Sequence, residues 1–244
     1  MVLAGSTPTR YRSGGLVGPD AIWAKDHWDP ALTDGLIEAT GATINMVLAA
    51  LAIGGVIGLG LGLALFASRK GGLFDNKPLF WSINVLVNTI RPIPFIIFIT
   101  AIRPLTILVM GTSYQLKGAI FPMVIICSMA AARLVEQSLV GADPGVIEAG
   151  RAMGASRLHV LIRILIPEAL APLILGYTFL FVGVLDMSAM AGAVGAGGLG
   201  DFALSYGYQK FNNYVTLAAL IVIVVIVQIA QGLGNFLARR VLHR

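Results

Sequence analysis

Residues 215–237 read VTLAALIVIVVIVQIAQGLGNFL and carry no charge. About 20 apolar residues in a helix cover the hydrocarbon of a bilayer. Backbone groups there must bond within the segment, which selects a helix over an open strand. Four further stretches meet the same criterion. Residues 44–66 are uncharged, 79–101 hold one charge at Arg91, and 169–191 hold one at Asp186. Residues 118–140 are uncharged up to Ala132 and then carry Arg133 and Glu136. Composition agrees with this count. Of 244 residues, 57% are hydrophobic and 12% charged, against about 25% charged in a soluble domain, and the mean hydropathy is +0.85. A water-soluble enzyme and a disordered chain are both excluded. The expected class is an all-α membrane protein with five transmembrane helices.

Lys and Arg in short loops set the orientation. Arg69, Lys70 and Lys77 follow the first span, Arg151, Arg157 and Arg163 lie between the third and fourth, and Arg239, Arg240 and Arg244 end the chain. Fewer basic residues (Lys25, Arg103, Lys117, Lys210) lie near the membrane on the other side. The amino terminus is therefore expected outside and the carboxyl terminus in the cytoplasm. Residues 1–40 read as a polar external extension without the apolar core of a signal peptide, and 41–244 as the membrane domain. Ile22, Trp23 and Trp28 make either an interfacial helix or part of a tail. The single cysteine, Cys127, and three scattered histidines offer no disulfide framework and no metal ligand set.

Within the spans, Gly54, Gly58 and Gly62 recur every fourth residue, a stripe that lets another helix approach closely, within one copy or between two. Pro92 and Pro94 each remove a helical hydrogen bond, so the second span is expected to kink or break there. Arg91 and Asp186 are costly charges in the membrane. They either pair or line a polar path, or Arg91 reaches back to the cytoplasmic headgroups.

Between the third and fourth spans runs DPGVIEAGRAMGASR, residues 143–157, continuing to ILIP at 164–167. It is too polar to span and reads as two short helices. Asp143 can cap the first with Pro144 at its first position, Gly154 supplies the bend, and Ser156 can cap the second. Val146, Ile147, Gly150 and Met153 fall on roughly one face. Such an amphipathic segment, on the cytoplasmic side, belongs on the membrane surface or in a partner's groove.

Glu148-Ala149, Gly154 and Ile164-x-Ile166-Pro167 resemble the EAA motif of bacterial ABC importer permeases, with Gly150 where many members have Ala. Three further segments resemble the methionine importers of that family: Arg91-Pro92-Ile93-Pro94-Phe95-Ile96-Ile97, the run from Ser188 through Met190 to Gly200, and Tyr206-Gly207-Tyr208. The likeness runs from about residue 40 to the end, and Asp186-Met187 departs from it, since the group usually has uncharged residues there. The resemblance implies that residues 143–166 are the coupling segment, with Glu148, Ala149, Gly150, Met153, Gly154 and Ala155 at the contact with a separate ATPase. It also implies a path between two copies of the chain, two ATP-binding subunits that hold ATP and Mg, and an extracytoplasmic substrate-binding lipoprotein. The implied location is the bacterial inner membrane, the implied cargo methionine, and this chain itself holds no cofactor and catalyses no reaction. Candidate path or gate residues are Arg91, Asp186, Ser188 and Met190, and Gly195, Gly197, Gly198 and Gly200 make a flexible or tightly turned outer loop.

Alternatives are another ABC solute (a different amino acid, a phosphonate or an osmoprotectant) or a stand-alone channel or carrier. Gly195-x-Gly197-x-x-Gly200 matches a dinucleotide fingerprint by letter but lacks the βαβ setting that motif requires. No Gly-x-x-x-x-Gly-Lys-[Ser/Thr] occurs, so this chain has no phosphate-cradling loop of its own. Apart from Arg91 and Arg133, basic residues lie in loops and are not interleaved with aromatics, which argues against nucleic acid.

Overall fold

The computed structural model describes residues 10–12, 15–17 and 28–242. The expected interfacial role of Ile22 and Trp23 falls outside the described residues. Near the amino terminus Arg10–Arg12 and Gly15–Val17 pair as a short antiparallel hairpin, an exception to the all-helical expectation. The remainder is helical: α1 (Pro30–Ser68), α2 (Lys77–Ile90), α3 (Phe95–Ala101), α4 (Arg103–Met110), α5 (Gln115–Val140), α6 (Pro144–Ala152), α7 (Arg157–His159), α8 (Ile166–Glu168), α9 (Leu170–Ala193), α10 (Gly198–Phe202) and α11 (Asn213–Leu242). Among the described residues α1, α5, α9 and α11 are long and apolar enough to cross a membrane, and α2 with α3 makes a fifth span if the bent pair counts as one.

Two of these elements differ from expectation. The first helix begins at Pro30 and not near residue 44. Asp29 caps it, accepting from the Ala31 amide at 3.1 Å, and no breaker intervenes before the apolar run. At 1.5 Å per residue its 39 residues extend about 58 Å, well beyond the ~30 Å of hydrocarbon. As expected from Pro92 and Pro94, the second span is broken at residues 91–94, where α2 and α3 meet at 105°. Pro94 cannot donate the bond that would continue α2, and α3 starts afresh after it. The loop expected beyond Ala101 folds instead into α4, which ends at Gly111 with φ +74.

α1 and α5 form the central pair. The glycine stripe of α1 faces the small residues of α5: a Cβ built on Gly54 would stand 2.8 Å from Cys127 Cβ, and one on Gly62 would stand 2.6 Å from Val135 Cβ. The stripe thus serves packing within one copy. Around this pair, Met46, Val47 and Ala50 pack with Phe95, Phe98, Met123, Ile126, Leu180 and Val184 from α3, α5 and α9. A second cluster joins Phe66 and Leu73 to Val135, Leu139, Val160, Leu161 and Leu165. It ties the ends of α1 and α5 to the segment between the third and fourth spans. α11 buries the smallest share of its surface among the spans, leaving Leu220, Ile221, Val224 and Val225 exposed to lipid or another subunit.

Candidate functional site: the α6–α8 segment and the faces it connects

Asp143 Oδ1 accepts from the Gly145 amide at 2.8 Å and Pro144 opens α6. The helix closes in a Schellman arrangement: the Ala155 amide donates to Gly150 O at 3.1 Å and the Gly154 amide to Arg151 O at 3.0 Å. This requires the left-handed φ of +79 found at Gly154. Ser156 then caps the second arm, its Oγ accepting from the His159 amide at 3.3 Å. The arm continues as a π-turn over Val160–Leu165.

The two arms clamp each other at Gly150, where a Cβ would come within 2.7 Å of Ile164 Cδ1. Gly150 is buried, Val146, Ile147 and Ala155 are half-buried, and Glu148, Ala149, Arg151, Ala152 and Gly154 are exposed. Met153 does not share the face of Val146 and Ile147 as expected: it is 78% exposed. It has left the helix at the cap, with ψ near 6°, so the helical period no longer applies to it. Of the six expected contact residues, Glu148, Ala149, Met153 and Gly154 lie on the open face. Gly150 and Ala155 build the clamp behind it. Beside the segment, Phe66, Leu73, Ile147 and Arg151 line a cleft, and the Arg69 guanidinium stands 5.5 Å over the Phe66 ring.

Asp186 and Met190 share one face of α9 with Phe179, and all three are exposed. Asp186 has no ion pair or side-chain hydrogen bond among the described residues, and neither does Arg91, so the two do not pair within this chain. Ser188 differs: it is buried, and its Oγ donates to Leu185 O at 2.7 Å within its own helix.

Residues 195–200 are a tight, packed turn. Gly195, Gly197 and Gly198 adopt φ of +90, +80 and +81. Thr43 Oγ1 of α1 accepts from the buried Leu199 amide at 2.8 Å. A Cβ on Gly200 would stand 2.6 Å from the Ala189 Cα. The Gly195 carbonyl accepts from the Gln115 amide at 3.1 Å, which joins the turn to the start of α5.

One constellation was not singled out from the sequence. Arg133 of α5 pairs with Glu136, and its Nη2 donates to Asn84 Oδ1 at 3.0 Å and to Asn88 Oδ1 of α2. Asn88 Nδ2 donates in turn to Asn84 Oδ1 at 3.1 Å. Two amides one turn apart on α2, opposite two charges one turn apart on α5, were the available signal.

The chain belongs to the binding-protein-dependent transport system inner membrane components, whose family description matches residues 57–243. It is accordingly a multi-pass inner-membrane permease. It is 38% identical over 217 residues to the probable D-methionine transport system permease protein MetI of Vibrio cholerae, covering 89% of this chain and 96% of that relative. It is 40% identical over 173 residues to the methionine import system permease protein MetP of Bacillus subtilis, covering 71% and 78%. Its structure is similar to a chain from inward-facing conformations of the MetNI methionine ABC transporter, with a TM-score of 0.85 and 36% identity over 88% of this chain and 99% of that one. A chain of another amino acid ABC transporter shares the fold at a TM-score of 0.69 and 20% identity.

Proposed function

We propose that this chain is the membrane subunit of an ATP-driven methionine importer. Two copies enclose the path, with amino termini outside and carboxyl termini in the cytoplasm. The segment 143–166 of each copy engages a separate ATPase subunit, which binds ATP with Mg. A substrate-binding lipoprotein delivers solute at the outer turn formed around Gly195, Gly197, Gly198 and Gly200. Closure of the ATPase pair displaces the segment and rocks the spans, so the path alternates between its two openings.

The observation that carries this reading is the division of the segment into two faces. The Gly150–Ile164 clamp and the cluster around Leu139 and Leu165 bolt its inner face to the ends of α1 and α5. Its outer face, with Glu148, Ala149, Met153 and Gly154, is exposed among the described residues, Met153 to 78%. A rigid lever with an open apolar tip suits a protein groove. The unpaired Asp186 beside Met190 supports a wet path along α9, since a lone carboxylate facing lipid is costly. Arg91, exposed at the break of the second span, belongs to the same path. Ser188 contributes to helix geometry behind it.

The test is reconstitution of this chain with its ATPase in vesicles, with labelled methionine presented on the binding protein. Uptake that requires ATP, and that unlabelled methionine suppresses more than other amino acids do, supports the reading. ATP-independent passage by this chain alone would overturn it.

A further inference from the structure

We infer that Arg133, Glu136, Asn84 and Asn88 form the joint that makes the inner halves of α2 and α5 move as one body, so that displacement of the segment 143–166 reaches the break at residues 91–94. This deepens the transporter reading and rests on it.

Position is the first argument. α5 ends at Val140 and passes within a few residues into Asp143, the cap of α6. Arg133 and Glu136 lie in its last two turns. α2 ends at Ile90, immediately before the 105° bend, and Asn88 is in its last turn. The network therefore bridges the helix that carries the segment to the helix that leads into the broken span.

Packing is the second. Among the described residues of α2, Val87 alone is buried. It meets Leu65, Met129 and Ala132 in a small cluster. Between helices in a bilayer, apolar contact has little advantage over contact with lipid, and association relies on close packing and interhelical hydrogen bonds. Phe80, Ile83 and Ile90 of α2 pack around that cluster only half-buried, so the hydrogen bonds to α5 add to a shallow apolar contact.

Chemistry is the third. Glu136 is 8% exposed, and a buried charge without its partner is strongly destabilising. The guanidinium satisfies it through Nη1 while Nη2 serves both asparagines. A planar fork can hold partners in two directions at once, and the point charge of an ammonium cannot do so in the same geometry. Arg133→Lys therefore keeps the charge while loosening the link to α2. Asn84→Leu with Asn88→Leu removes the link from the other side and leaves the Arg133–Glu136 pair intact.

The experiment uses the assembled transporter in vesicles. Spin labels at Leu86→Cys of α2 and Gln137→Cys of α5, both exposed positions, report the distance between the helices. Labels at Met153→Cys in the two copies report the segment. On trapping with ATP, the Met153 distance changes while the Leu86–Gln137 distance holds within about 2 Å. In the Asn84→Leu/Asn88→Leu variant the Leu86–Gln137 distance becomes nucleotide-dependent, and uptake per ATP hydrolysed falls roughly tenfold while hydrolysis itself persists. Arg133→Lys moves both readouts the same way. A wild-type Leu86–Gln137 distance that shifts with nucleotide, or undiminished coupling in the asparagine variant, overturns the joint while leaving the transporter reading in place. A Met153 distance indifferent to nucleotide, with no ATP-driven uptake, overturns the transporter reading itself and the joint with it.

Discussion

Gly62 of α1 and Val135 of α5 are pressed so closely together that a Cβ on the glycine would stand 2.6 Å from the valine Cβ. Gly54 repeats the approach at Cys127 two turns away. The segment 143–166 is anchored to the ends of these same two helices, so the central pair is its foundation.

Gly62→Leu is expected to force α1 and α5 apart. Overpacking of this kind costs typically 1–3 kcal/mol, and the meeting of helix backbones leaves little room to adjust. Gly60→Leu serves as the control, because nothing lies within 4 Å of its Cβ position and the residue is exposed. Thermal unfolding of the detergent-solubilised chain should separate the two, with the Gly62 variant lower and the Gly60 variant near wild type.

Gly154→Ala should cost about 1–2 kcal/mol from its left-handed backbone alone, since no atom lies within 4 Å of the added methyl. Gly154→Asn should cost less, because asparagine tolerates that region. The effect belongs to the bend between the arms. Coupling of ATP hydrolysis to uptake, and the unfolding temperature with it, should therefore fall in the order Gly, Asn, Ala.

Met153→Asp should leave the fold intact, because the side chain is 78% exposed among the described residues. Binding of the ATPase subunit should weaken roughly tenfold or more, as for an exposed apolar residue that becomes a buried anchor in a complex. Titration of the purified subunit onto vesicles carrying the variant measures this directly. Unchanged affinity would remove Met153 from the interface.

Thr43→Val removes the acceptor for the buried Leu199 amide and should cost about 1–3 kcal/mol. Thr43→Ser retains the hydroxyl and should stay near wild type. The loss should appear both as a lower unfolding temperature and as faster hydrogen exchange at Leu199.

Asp186→Asn and Asp186→Leu should both assemble normally and lower methionine uptake, the leucine variant more. Were Asp186 facing lipid, removing its charge would instead stabilise the chain by about 2.5–3.5 kcal/mol with uptake unchanged. Measuring uptake and thermal stability on the same preparations decides between these outcomes.

Much of the local structure of the segment 143–157 is legible in the sequence. Asp143, Gly154 and Ser156 act through their own backbone neighbourhoods, and their capping and bending roles follow from local chemistry. The break at Pro92 and Pro94 was legible for the same reason. Met153 was misplaced because the helical period was carried one residue past the point where the Schellman cap ends it. Ser188 looked like a polar path residue, but rotation of α9 turns it inward, and no local signal sets that rotation. α1 extends back to Pro30, well before the apolar run at 44–66, because a helix continues into water wherever no breaker or cap stops it.

From the order of residues alone came the membrane class, the apolar runs that became spans, the glycine stripe and the turn chemistry of the segment 143–157. Each depends on length, period or a neighbour a few positions away. Only the tertiary structure decided that the stripe packs on α5, that Gly150 clamps against Ile164, and that Arg133 reaches Asn84 and Asn88. Those pairings join residues far apart in the chain. They depend on how rigid helices settle against one another, and a hydrogen bond or a close approach exists only once that arrangement has been chosen.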